Sequence, residues 1–323
     1  MFYEIILNPN SVYTTARCNF NGFAESYVKR LFPGTASSDI KGLSGYFKGY
    51  DSPMNKDEWL SVCGDTVHRH DRDRLMCSTL APIDKRDTLV ALLAFNLEIA
   101  SIPELVSEPL LGEMRLQWWR DVLDSLYAGT VVEHPVALGL AEGIDKHRLT
   151  KPLFEEYLDG RSFDLQGKAP ASIENLVAYA TATAGAVNEL MSEVLGVSSL
   201  PADQQADVRA AVRHGGVAWG LSGLLYSVAF HAALGRSYLP SDLAEGDRVA
   251  AVCEAARRHI GQARDAHHTV PNSMLPVMMP VVLAEYRLRQ ISRCGFDPHD
   301  PRLQNPGIGR LFRFYGRLLA KRY

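Results

Sequence analysis

Between Arg213 and Arg236 the chain reads RHGGVAWGLSGLLYSVAFHAALGR, with no Asp, Glu, Lys or Arg between the two flanking arginines. Such a stretch is long enough to cross a bilayer, since a spanning helix needs about 20 apolar residues. Gly216, Gly220, Gly223, Ser222, Ser227 and His231 interrupt its apolar surface, however. Small residues at near four-residue spacing suit a helix pressed against neighbouring helices. The stretch therefore predicts the central helix of a soluble helical domain, stopped by Gly235.

The rest of the chain can supply the surroundings. With 323 residues and 46% hydrophobic content it can bury a sizeable core. A formal net charge of -3 gives no global footprint for nucleic acid, and no nucleic-acid partner is expected. Cys18, Cys63, Cys77, Cys253 and Cys294 are scattered and form no C-x-x-C pair, which argues against a disulfide framework or a zinc site. A Gly-rich phosphate loop, a G-x-S-x-G elbow and an H-E-x-x-H helix are all missing.

Residues 1–53 mix Asn, Ser, Thr, Gly and aromatics without sustained periodicity. They read as an extension outside the domain, either disordered or preceding a true start at Met54. Glu4 and Glu25 spoil the acid-poor pattern of a transit peptide. From Lys56 the pattern turns helical, with Asp57 as a candidate cap. A helix is predicted from Pro82 to a stop or kink at Pro103, and another carries Leu110, Met114, Trp118, Val122 and Leu126 on one row up to Gly129. Pro135 and Pro152 open short helices, Ser172 caps one running to Gly196, and residues 247–268 and 276–294 give the last large ones. Strand alternation is almost absent. The reading is all-α: a single multi-helix domain over residues 54–323. In the tail, Arg310, Arg313, Arg317 and Lys321 share one helical face while Leu311, Phe314, Tyr315 and Leu318 share another. This predicts either docking on the core with a solvated basic face, or a peripheral membrane contact through 307–323.

Five stretches, LVALLAFNLEIAS (89–101), RLQWWRDVLDSLYAG (115–129), HPVALGLAEGI (134–144), YLDGRSFDL (157–165) and GRSYLPSDL (235–243), together resemble the squalene and phytoene synthase family. The resemblance implies an isoprenoid-synthase-like helical fold around a central cavity. It also implies an activity, the head-to-head joining of two allylic prenyl diphosphates, with Mg2+ held by two D-x-x-x-D motifs. Carboxylates at i and i+4 project from one helical face, so two such helices can bridge metal ions to a diphosphate.

Carried over residue by residue, the first motif falls on Ala100, Ser101 and Glu104, and the second on Gly223, Ser227 and His231. Only Glu104 is a carboxylate. A further family feature keeps Tyr179 but has Ala182 in place of its arginine. Ser227 and a neutral His231 are poor ligands for Mg2+, which favours hard oxygen donors. The segments AFNLEIA and EPLLGEMRLQWW are similar to a divergent branch, the phytoene-synthase-like assembly factors of respiratory complex I.

That resemblance implies a non-catalytic protein that helps assemble complex I or binds an isoprenoid, without a cofactor, in the cytoplasm or peripheral on the inner membrane, or on the matrix side in a eukaryote. The alternative is an active prenyltransferase using Mg2+. Candidate catalytic groups under it are Glu98, Glu104 and Asp164. Candidate substrate contacts are Arg115, Trp118, Trp119, Tyr179, Ser227, His231 and Arg236, with core packing the competing role for the tryptophans and for His231, and a C-terminal helix cap for Arg236.

Overall fold

A computed structural model describes residues 54–323 apart from 107, 305, 306 and 308, so the reading of residues 1–53 lies outside the described residues. The described residues form α-helices and short 3-10 and π turns, with no strand. Helix α1 (Lys56–His70) opens on a reciprocal cap, in which Asn55 Oδ1 accepts from the Glu58 amide and Glu58 Oε2 accepts from the Asn55 amide. Asn55, not Asp57, is thus the cap. After α2 (Arg72–Ser78) comes α3 (Ile83–Leu105), with Pro103 inside its last turn. Leu89 to Asn96 are buried without interruption, as suits a helix enclosed on all sides. Among the described helices α3 is the one long and apolar enough to span a membrane, and 67% of its most apolar window is buried inside the protein.

Helices α4 (Pro109–Tyr127), α5 (Pro135–His147) and α6 (Lys151–Arg161) follow, each with proline in its first turn. Ser172 caps α7 (Ile173–Ala180) by accepting from the Asn175 amide. The predicted continuous helix to Gly196 is interrupted: Thr181–Gly185 form a π turn before α8 (Ala186–Leu195). Thr181 and Thr183 donate their hydroxyls to Val177 O and Tyr179 O, and this competition for the ladder carbonyls loosens the helix there.

The charge-free stretch lies at the centre, as α9 (Ala202–Tyr226), packed against α8, the π turn, α11 (Glu245–Asp265) and α12 (Leu275–Arg293). Its glycines permit a close approach. A Cβ on Gly216 would lie 2.5 Å from Ala184 O, and one on Gly220 would lie 2.8 Å from Ala184 Cβ. Asn188 of α8 is buried here and donates to Val212 O and Val277 O, tying three helices together. The helix does not continue to Gly235. It ends at Ser227, and α10 (Val228–Ala233) contributes no buried residue. Past Tyr226 the chain has left the core, so neighbours no longer hold it in one axis.

The last helix, α13 (Gly309–Leu319), departs from the expected solvated basic face. Phe314 is buried, but Arg310 pairs with Asp73 at 2.6 Å and Arg313 lies 3.9 Å from Glu285, so basic residues turn toward the protein. Leu311 and Tyr315, expected to share the docking face with Phe314, are exposed.

Candidate functional site

The interior end of α6 carries a saturated polar network. Arg161 closes α6 and Asp164 sits on the following 3-10 turn (Ser162–Leu165), so both side chains reach the same point. Arg161 Nη1 donates to Asp164 Oδ2 at 3.1 Å and to the Tyr179 hydroxyl at 2.9 Å. Its Nη2 reaches Asn96 Oδ1 at 3.3 Å and its Nε the Tyr157 hydroxyl at 3.2 Å. Tyr157 in turn donates to Asn96 O at 3.0 Å, and Tyr238 donates to Asp164 Oδ1 at 2.7 Å. The Asp164 side chain is 2% exposed. A buried ion pair is tolerated when its remaining donors and acceptors are also satisfied, and here α3, α6, α7 and the Tyr238 loop satisfy them.

His231 stacks edge-on against Tyr238 with ring centres 4.8 Å apart, and its Nδ1 lacks a hydrogen-bond partner among the described residues. Burial pulls the imidazole down to about 4, so it is neutral near pH 7. Burial likewise pushes the Tyr179 and Tyr157 hydroxyls upward. Arg236 donates to Pro103 O, which brings the Tyr238 loop onto the end of α3 beside the exposed Glu104. Two cavities adjoin the network, about 10 and about 60 Å3 in volume. The first is lined by Phe163, Asp164 and Tyr238, the second by Leu224, His231 and Tyr238.

The structure thus brings together Asp164, Tyr179, His231, Arg236 and Glu104. It places other candidates elsewhere. Glu98 lies 3.3 Å from His134 Nε2. Trp118 and Trp119 stack on each other at 4.9 Å and on His134, with Phe95 5.1 Å from Trp119, in the core. Arg115 is half-buried on α4. Sequence reasoning missed Asn96, Tyr157, Arg161 and Tyr238, although the i, i+3 spacing of Arg161 and Asp164 was a signal.

It also missed Arg287. This α12 residue holds its guanidinium carbon 4.0 Å from the Trp219 ring centre, donates to Asp73 Oδ2 at 3.1 Å, and places Nη1 3.9 Å from where a Gly223 side chain would begin. Gly223, Ser227 and His231, where the resemblance places the second metal-binding motif, therefore carry no carboxylate, and Gly223 lies beside a fixed cation. The helix break at Ser227 also takes them off a single straight row. Ala100 and Ser101 offer the first wall nothing better, since Ser101 donates to Glu98 O. This donor set does not fit Mg2+ bridging a diphosphate. Among the described residues no cluster of three or more His, Cys, Asp or Glu is placed to hold a metal ion.

Comparison with known proteins agrees with the helical layout. The chain is 30% identical over 279 residues to NADH dehydrogenase (ubiquinone) complex I, assembly factor 6, of Bos taurus, covering 81% of this chain and 82% of that protein. The Homo sapiens protein of the same name is 30% identical over 260 residues, covering 75% and 76%. A dehydrosqualene synthase crystal structure shares the fold with a TM-score of 0.67 at 15% identity, covering 82% of this chain and 98% of that one. The family described as squalene/phytoene synthase matches residues 67–308, and the chain belongs to it.

Proposed function

We propose that this chain is a non-catalytic member of its family that helps assemble a respiratory complex I, and that it acts on the membrane face where that complex is built. That face is the cytoplasmic side in a bacterium and the matrix side in a mitochondrion. The observation that carries the reading is the replacement of the second carboxylate wall by Gly223, Ser227 and His231 with the Arg287 guanidinium alongside. Mg2+ finds no carboxylate on that wall, and the guanidinium beside Gly223 disfavours a metal ion there further. The cavities beside Tyr238 add support: they are about 10 and 60 Å3, whereas small-molecule sites run to about 300 Å3 and more. A protein-directed role, with complex I subunits or their assembly proteins as partners, accords better with sites of that size beside the motif positions than isoprenoid turnover does. The names of the assembly-factor relatives point the same way.

Deleting the gene and following complex I on native gels tests the assembly role. Loss of the mature complex, restored by the wild-type gene, is the expected result, and normal assembly overturns the reading. Incubating the purified protein with farnesyl diphosphate and Mg2+ tests the silence of the site. No release of diphosphate is expected, and sustained turnover would restore the prenyltransferase alternative.

A further inference from the structure

Helix α13 wears its amphipathicity inside out. Leu311, Phe312, Tyr315 and Leu319 are 36, 73, 52 and 85% exposed, and their spacing puts them on one arc of the helix. The opposite side is fastened to the protein. Arg310 pairs with Asp73, and at the other end Arg264 donates to a main-chain oxygen of Tyr323 at 2.7 Å while Phe314 fills the core. These anchors leave the helix little freedom to roll its apolar arc inward. Ordering cost is therefore already met in the free protein, which favours binding at that face.

We infer that this arc is an interfacial membrane anchor that seats α13 on an anionic lipid bilayer. Charge and shape select this occupant. The whole chain carries a formal charge of -3, yet the segment 307–323 has no Asp or Glu, and while Arg310 and Arg313 turn toward Asp73 and Glu285, Lys321 and Arg322 remain exposed. Those two residues follow Leu319 of the arc closely in the chain, near enough for anionic headgroups to meet both. The arc is a convex ridge of aromatic and aliphatic side chains on a single surface helix, a form suited to the boundary between headgroups and acyl chains. This deepens the assembly reading, from which it takes only the choice of a membrane as the place of work.

The test uses purified full-length protein in flotation with vesicles of phosphatidylcholine plus phosphatidylglycerol, or of phosphatidylcholine alone. The wild type should float with the anionic vesicles and much less with the neutral ones. The double variant F312S/L319S, altered at exposed positions and checked for an unchanged melting temperature, should bind at least about tenfold more weakly. K321S/R322S should lose the preference for anionic vesicles. The inference is overturned if the wild type stays unbound, if it binds both vesicle types equally, or if F312S/L319S floats as the wild type does. It is also overturned if F312S/L319S keeps its lipid binding but loses complex I assembly, which would give the arc to a protein partner. The vesicles contain no complex I, so failure here leaves the assembly reading standing.

Discussion

Arg287 stacks on Trp219, its guanidinium carbon 4.0 Å from the ring centre, on the same side of α9 as Gly223. The pair lies beside Gly223, the position to which the family resemblance assigns a metal-binding residue. Arg287 is half-buried among Trp219, Tyr226 and Asp73 and thus also has a structural role. Replacing it by Met removes a charged hydrogen bond to Asp73 and a cation–π contact, and should cost about 1–3 kcal/mol in urea denaturation. Lys at the same place keeps the charge without the flat stacking surface and should recover only part of that loss. Full stability of R287M would show that the contact carries no weight.

The network around Asp164 gives a second expectation. Asp164→Asn leaves Arg161 without its ionic partner in a buried setting, at a cost of about 3–5 kcal/mol. Tyr238→Phe removes one neutral donor to a carboxylate and should cost about 1–2 kcal/mol. If the network is structural, the paired replacement R161M/D164L should be milder than D164N alone, because no charge is stranded. A double variant as destabilised as D164N, or more so, contradicts this.

Glycine substitution separates crowding from helix propensity. At Gly216 an added Cβ meets Ala184 O at 2.5 Å, so Gly216→Ala should destabilise by about 1–3 kcal/mol despite the better helix propensity of alanine. At Gly261, within α11, nothing lies within 4 Å, and Gly261→Ala should stabilise by up to about 1 kcal/mol. Opposite signs in thermal melts are the outcome to look for.

Acid sensitivity should trace to a histidine pair. His214 Nδ1 and His259 Nδ1 are 3.0 Å apart across α9 and α11, an arrangement that requires one donor and one acceptor. Burial lowers both, His259 to about 4, with His214 and Arg258 adding to the effect there. A folded-state value below the unfolded one means the unfolded chain binds more protons between about pH 6.5 and 4. Stability should accordingly fall as pH drops through that window and level off above it. His259→Gln should flatten the slope measured by denaturation at a series of pH values, and an unchanged slope would place the sensitivity elsewhere.

Much of the helical order was legible because it depends on neighbours in sequence. Pro135 and Pro152 opened helices, Ser172 capped one, and Gly196 closed the run that began there. The misses were local competitions that periodicity does not register. Asn55 displaced Asp57 because a reciprocal cap with Glu58 satisfies two amides at once. Threonine hydroxyls at 181 and 183 opened a π turn inside an otherwise helical pattern, and burial ran out at Tyr226, ending α9 early. In the site, Asn96, Arg161, Asp164 and Tyr238 all stand in the matched stretches, but only their meeting in the fold makes Arg161, Tyr238 and Asn96 partners of Asp164 and Tyr179.

The sequence by itself determined an all-helical domain over the described residues, and it shows no carboxylate at Ala100, Gly223, Ser227 or His231, the positions to which the resemblance assigns the metal motifs. Only the tertiary structure decided what took their place and which way α13 faces. Arg287 reaches Gly223 from another helix, and Asp73 and Glu285 pull the basic side of α13 inward from distant parts of the chain. A helical periodicity defines faces, but the choice of inward face is made by the charges and apolar surface that packing sets against it.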